Sequence, residues 1–146
     1  MAAALTKGTS PAAGPIQLSI PLPRARGTRI HVHLTILVTS TLLFLTTSAS
    51  ELGSLASLGS FVYAMPNRTT PSQPLSTALY AQSSSLDFAT RMAKTLARRT
   101  GRPSYVGSSV SFASAGLGGT VEEEMEGMGL VVRVVMGEIE KAKAGG

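Results

Sequence analysis

The sequence contains no cysteine and no tryptophan, and its only aromatic residues are four phenylalanines and three tyrosines among 146 residues. The absence of cysteine excludes disulfide bonds, thiolate metal sites and thiol-based catalysis, and it fits a reducing compartment. Because aromatic rings are few, the core has to be built from Leu, Val, Ile, Met and Ala. The length is sufficient for one self-supporting domain.

Acidic residues are also scarce, and they are unevenly placed. The chain has eight acids against thirteen Lys and Arg residues, which gives a net charge of +5. Residues 1–102 hold ten of the basic residues and two of the acids, whereas residues 103–146 hold three and six. Such a separation is typical of a protein with two surfaces for different partners, or with faces that complement each other.

Long hydrophobic runs and sorting signals are missing as well. The uncharged stretch 34–49 is about four residues too short to span a membrane, and hydroxyl side chains interrupt it. Residues 1–14 lack the basic start of a secretory peptide and have nothing to bury, so we expect them to form a disordered tail. Residues 15–146 are then expected to form a single domain, without a membrane segment.

Alternation of apolar and polar residues with a period of two predicts a β-sheet. In "IHVHLTI" (30–36) the apolar residues face one way and the polar residues the other, as in an antiparallel sheet with one covered side. Segment 39–47 is apolar on both faces and is expected to be central, whereas 75–80 is expected at an edge. The predicted strands cover 16–22, 29–36, 39–47, 59–65, 75–80 and 104–112.

An amphipathic segment at 84–100 predicts the first helix. Ser84 and Asp87 have the spacing of a helix N-cap, and Gly101 followed by Pro103 is a standard stop signal. The basic residues of this segment fall on the face opposite its apolar residues. This basic cluster consists of Arg91, Lys94, Arg98, Arg99 and Arg102.

The last segment, 120–143, has apolar residues at alternating steps of four and three, which predicts a second helix. Three glycines and a β-branched cluster leave a strand at 129–136 as the alternative. Leu130 and Val134 lie off the apolar stripe, so we expect the helix to bury a second face, with tertiary or partner contacts as cover. The stripe itself comprises Val121, Met125, Met128, Val132, Val135 and Ile139.

The sequence offers few residues that could catalyse a reaction or bind a metal or cofactor. His31 and His33 are the only histidines and share one strand face, but no acid lies near them in sequence, so a solvated face is favoured over a metal site. The stretch "GLGGT" (116–120) precedes three glutamates that would repel a phosphate. "GMG" (127–129) lacks the rest of a dinucleotide fingerprint. We therefore predict no catalytic residue, metal or cofactor, and no enzyme.

The basic cluster requires an explanation of its own. A solvated helix face is the simplest one. Nucleic acid is disfavoured because no aromatic residues alternate with the basic ones, and a membrane surface is disfavoured because the opposite helix face is needed by the sheet. An acidic protein surface remains as the partner. A small basic nucleic-acid-binding domain and a structural homodimer without a client are the alternatives.

Three segments carry a family likeness. "FATRMAKTLARRTGRPSYVGSSV" (88–110) resembles the proteasome assembly chaperone 4 family, in which a helix ending in Leu-Ala-basic-basic-Thr leads directly into a strand. "IHVHLTILVTSTLLFLTT" (30–47) is similar to that family's His-x-His strand and the Leu-Phe-Leu strand after it. "VYAMP" (62–66) and the closing amphipathic segment follow in the matching order, and the likeness extends over residues 15–143.

The resemblance implies an α+β fold in which two helices pack on an antiparallel sheet. It further implies a non-catalytic chaperone that pairs with a related subunit of the proteasome assembly chaperone 3 type. Such a pair binds 20S α-type subunits, promotes ordered assembly of the α-ring and dissociates before maturation. On this basis Leu130 and Val134 are assigned to the chaperone pair, and the basic cluster is assigned to an α-subunit or to acids of the partner.

The same likeness implies a cytoplasmic location, with the nucleus and a homodimeric isolated chain left open. The sequence departs from the family pattern at two places. Leu45-Thr46 stands where relatives often have a tryptophan, and residues 113–119 with the acidic run 122–126 look like an insertion. Contacts made through these two places are not carried over from the family.

Overall fold

The computed structural model describes residues 15–22, 27–48, 59–110 and 121–145. All six predicted strands and both predicted helices are present within these ranges, so the α+β prediction is confirmed. The predicted tail and the 113–119 stretch lie outside the described residues. The elements are β1 (Ile16–Pro21), β2 (Arg29–Ile36), β3 (Thr41–Ser48), β4 (Ser60–Met65), β5 (Leu75–Tyr80), α1 (Leu86–Thr100), β6 (Ser104–Ser108) and α2 (Val121–Gly145).

The six strands form one sheet in the order β1-β2-β3-β6-β4-β5. As predicted, β3 is central and β5 is at an edge. The sheet is mixed, however, and the prediction of an antiparallel sheet needs one correction. Four neighbouring pairs are antiparallel, but β3 and β6 run parallel. After β3 the chain forms β4, β5 and α1, and then β6 pairs with β3. This connection contains a helix, and such a crossover joins two strands that run in the same direction.

One face of the sheet forms the hydrophobic core with both helices. Helix α1 packs over β4 and β6, and α2 packs against α1 and β2. Met92 and Leu96 of α1 are fully buried, and three alanines on the same face let the helix lie close to the sheet. The strand residues of this core include Ile30, Val32, Leu34, Leu43, Leu45, Val62, Ala64 and Val106. Because both described helices lie on this face, neither of them covers the opposite face of the sheet.

The start of α1 differs from the predicted cap at Ser84. The helix begins at Leu86, and Ser85 occupies the N-cap position without a side-chain capping bond. Its hydroxyl lies 2.9 Å from the hydroxyl of Ser60, which also accepts a hydrogen bond from the Gln82 N–H at 2.8 Å. Both serines are buried. A buried hydroxyl needs a partner, so Ser85 points to β4 and anchors the helix to the sheet.

Helix α2 is continuous, so the strand alternative at 129–136 is wrong. Its buried face is rotated from the predicted stripe. Val131, which the stripe omitted, is fully buried beside Val135, whereas Met125 is 63% exposed. Tertiary packing of this valine-rich face stabilises a helix whose glycines and β-branched residues give it a weak intrinsic propensity.

Of the three described glycines with positive φ angles, Gly101 and Gly59 adopt them for different reasons. Gly101 (φ 69°) ends α1 as predicted, and its N–H donates a hydrogen bond to Ala97 O at 3.0 Å. A β-carbon at Gly101 would meet no atom within 4 Å. Gly59 (φ 73°) precedes β4, and a β-carbon there would collide with the backbone carbonyl of Ser108. Gly59 therefore permits the close approach of β4 to β6.

These two positions allow a matched test of that contact. Gly101→Ala should lower the free energy of unfolding by about 1 kcal/mol, the usual cost of a left-handed conformation for alanine. Gly59→Ala should lower it by roughly 3 kcal/mol or more, because the collision with Ser108 is added. Urea unfolding followed by circular dichroism measures both values. Equal losses would show that the β4–β6 approach at Gly59 is not tight.

Candidate protein-binding surfaces

The sheet face opposite the helices carries a continuous row of ring side chains: one histidine, two phenylalanines and two tyrosines. The row runs from His33 on β2 to Phe44 on β3, Phe61 on β4, Tyr105 on β6 and Tyr63 on β4. Successive ring centroids are 6.3, 5.9, 6.1 and 4.7 Å apart. All four distances lie within the range of favourable aromatic contacts. We call this set of five residues the aromatic row.

A glycine on β6 explains how two of the rings meet across a strand. Phe44 and Phe61 lie on different strands, yet both are register partners of Gly107. Because Gly107 has no side chain, the two rings come together over it, nearly parallel at 9° with centroids 5.9 Å apart. Such stacked pairs contribute about 0.5–1.5 kcal/mol beyond the burial of their area. Gly107 thus joins the β3 and β4 parts of the row.

All five members of the aromatic row are partly exposed, and no described helix packs on them. Leu42 on β3 and Met65 on β4, which is 41% exposed, extend the apolar area on the same face. The Nδ1 atom of His33 is buried and has no hydrogen-bond partner among the described residues. Contiguous exposed aromatic surface of this kind is typical of protein interfaces.

The aromatic row is not evident from the sequence. Each contributing strand shows only one or two aromatic residues, and period-two alternation assigns them to a face without saying which strands are neighbours. The available signal was that "TLLFL" and "SFVYAM" place apolar residues on both strand faces. An apolar second face on two strands indicates a second buried or partner-covered surface.

The five residues of the basic cluster have different contacts in the structure. The Nε atom of Arg91 lies 3.1 Å from Asp87 Oδ2 in an exposed ion pair, so Asp87 contacts Arg91 one turn further along α1. Arg102 Nη1 donates a hydrogen bond to Val38 O, 3.2 Å away in the β2–β3 turn. Arg99 is exposed on α1. The two remaining members, Lys94 and Arg98, line a common cleft formed by described residues.

This cleft has a volume of about 410 Å³ and lies between α1 and the loop that precedes β5. Lys94, Thr95 and Arg98 form its helical wall, and Leu75 belongs to the opposite wall together with residues 72–74. Asn67 Oδ1 accepts hydrogen bonds from two backbone N–H groups of the loop, at 3.0 and 3.2 Å. No acidic residue is among the lining residues that the structure describes, so the cleft suits a carboxylate.

Leu130 and Val134 lie on the helical side of the sheet. Both are partly buried and pack against the core. The sheet therefore separates them from the aromatic row, and one flat partner surface cannot contact both. Their role in a chaperone pair stays a prediction.

Other kinds of site find no support in the described part of the chain. Those residues include no group of three or more His, Cys, Asp or Glu side chains placed to hold a metal ion. His31 and His33 both project from β2 on the same face as the aromatic row. Neither described helix has the length and apolar character needed to cross a membrane.

Comparison with known proteins finds a matching family and solved structures of similar fold. The model of the proteasome assembly chaperone 4 family matches residues 29–110. Among solved structures, the fold is similar to a chain from a yeast complex described as a novel chaperone complex for 20S proteasome assembly. The TM-score is 0.64 at 19% sequence identity, and the match covers 86% of this chain and 96% of the yeast chain. No curated protein matches the sequence.

Neighbouring residues of β3 test whether the aromatic row belongs to the core. Leu43 is fully buried on the helical face, whereas Phe44 is partly exposed in the row. Leu43→Ala should lower the free energy of unfolding by about 3 kcal/mol, and Phe44→Ala by about half as much, because part of that ring is already in water. Urea unfolding of the isolated chain gives both values. An equal loss would mean that Phe44 is needed for folding.

Proposed function

The chain belongs to the proteasome assembly chaperone 4 family, and from this premise we propose that it acts as one half of a heterodimer with a related chaperone subunit. The pair binds α-type subunits of the 20S core particle, promotes ordered assembly of the α-ring and leaves before the particle matures. The proposed role is one of binding, without catalysis, in the cytoplasm. The aromatic row is the observation that carries the proposal.

The aromatic row supports pairing with a subunit of the same fold. The yeast chain with a similar fold comes from a chaperone complex. A related subunit with helices on one face only would also present an open sheet face. Two such faces pack well on each other at about 10 Å, with their side chains interdigitating. Aromatic side chains are enriched in the cores of interfaces, where they exclude water over a large area.

The basic surface of α1 supports a second, temporary contact. Lys94, Arg98 and Arg99 are exposed and lie on the helical side of the sheet. Charged groups at the rim of an interface speed association and select the partner more than they increase affinity. An acidic surface on an α-type subunit would thus be recognised quickly and released again, as a chaperone that leaves the particle requires.

Substitution within the row should prevent pairing. We expect Phe61→Glu to weaken binding to the related chaperone subunit by about 2 kcal/mol or more, because the interface would bury an unpaired carboxylate. Met125→Glu is the control, since Met125 is an exposed apolar residue on α2. Co-expression with the related subunit, followed by size-exclusion chromatography, measures pairing.

The same experiment decides the role of the two α2 residues. A Leu130→Ala/Val134→Ala double variant should pair normally if the aromatic row is the interface. Normal pairing of Phe61→Glu together with failure of this double variant would move the interface to the helical side. A stable dimer of the isolated wild-type chain, with no uptake of the related subunit, would favour a structural homodimer.

Reversal of the exposed charges should slow capture of the client. Arg98→Glu/Arg99→Glu is expected to reduce the association rate with α-type subunits about tenfold at low salt, because electrostatic attraction becomes repulsion. Arg133→Glu changes an exposed basic residue on α2 and serves as the control. Surface plasmon resonance on the assembled heterodimer measures the rate.

Unchanged capture by the Arg98→Glu/Arg99→Glu variant would remove the basic surface from the client contact. A salt titration with duplex and single-stranded DNA provides a further check. Tight binding at physiological salt with a steep salt dependence would instead favour a nucleic-acid-binding domain.

A further inference from the structure

Strand β5 forms an unusually accessible edge of the sheet. All six of its residues are exposed, including three large apolar ones: Leu75 at 54%, Leu79 at 55% and Tyr80 at 60%. The segment "LSTALY" contains no charged residue and no proline. Natural edge strands usually carry charged residues or proline, because an open row of backbone N–H and C=O groups can pair with strands of other molecules. Charged residues and proline, two of the usual forms of edge protection, are therefore absent within this strand.

The opposite edge of the sheet shows what protection looks like. Pro21 is the last residue of β1, so one backbone donor is missing within that strand. The guanidinium of Arg29 lies over β1 and donates a hydrogen bond to Ser19 O at 3.2 Å. The two edges thus differ in chemistry, because every residue of β5 has a backbone N–H whereas β1 ends in proline.

The regular part of the β5 edge lies beside the basic cleft. Residues from Leu75 to Ala78 pair in register with β4, but Leu79 is an extra residue that shifts the register. The regular edge is therefore Leu75–Ala78. Leu75 also lines the cleft with Lys94 and Arg98. An extended segment paired with the edge would run past these two positive charges.

We propose that the open edge of β5 and the cleft at Lys94 and Arg98 form one docking site for an extended acidic segment. The segment adds to the sheet as a seventh strand through backbone hydrogen bonds, and its carboxylates lie opposite the two cations. The site deepens the proposed function, on which it rests, because we place the segment in the α-type client. A second copy of this chain fits less well, since two basic clefts would meet at one interface.

Peptides test the site without the client. The probes are an acetylated octapeptide that alternates Glu and Val and a matched octapeptide that alternates Lys and Val. Amide hydrogen exchange of the full chain should show new protection at every second residue of β5 with the Glu-Val peptide only. Lys94→Glu/Arg98→Glu should weaken Glu-Val binding about tenfold. Equal protection by both peptides, or protection confined to other strands, would overturn the proposal.

Proline substitutions test the strand addition itself. Ser76 and Thr77 are neighbours, so one N–H points to β4 and the other to the open edge. Of Ser76→Pro and Thr77→Pro, the variant that keeps the wild-type melting temperature is the edge-facing one. In the assembled heterodimer this variant should lose capture of purified α-type subunits while pairing remains normal. Normal capture by this variant would overturn the docking site.

The two experiments separate the possible failures. If the wild-type heterodimer captures no α-type subunit, the proposed function fails, whereas the peptide exchange data still decide whether β5 accepts an acidic strand. If capture occurs and the edge proline does not affect it, the function stands and the docking site is wrong. Self-association of the free chain that the edge proline abolishes would assign the edge to a second copy and overturn the proposal.

Discussion

The packing of both helices on one face of a single sheet determines which surfaces remain for binding. Alanines at positions 89, 93 and 97 let α1 lie close to β4 and β6, and the valines of α2 fill the space over β2. The hydrophobic core on the helical side is aliphatic except for Phe88. Four of the seven Phe and Tyr residues lie on the opposite side. A stable core on one face makes it possible for the other face to serve a partner.

The insertion of β6 between β3 and β4 links the core to this outer face. Val106 of β6 is fully buried among the helices, while the next residue, Gly107, leaves room for Phe44 and Phe61 to stack. If β3 and β4 were direct neighbours, Gly107 of β6 would not lie between Phe44 and Phe61. The close approach permitted by Gly59 holds β4 in place beside β6.

The sequence predicts elements better than it predicts their neighbours. The alternation in "IHVHLTI" and the Gly101–Pro103 stop depend on local chemistry, and both predictions were correct. The predicted Ser84 cap failed because Ser60, far away in sequence, gives the Ser85 hydroxyl a buried partner. The burial of Val131 was not predicted, because the sheet beneath α2 determines which face of the helix is buried. The parallel β3–β6 pair and the aromatic row depend on strand order, which no local pattern contains.

The placement of the two candidate surfaces also bears on how a chaperone of this kind would work. A partner that covers the aromatic row would leave α1 and the outer edge of β5 open, because they lie on the other face and at the side of the sheet. Apolar contact on the row suits a lasting association, since it costs little desolvation and excludes water. Charge and backbone hydrogen bonds at the β5 edge suit a contact that must be reversed, because water competes for both. The two proposed contacts therefore use different surfaces, so that a permanent and a temporary partner would not compete for one surface.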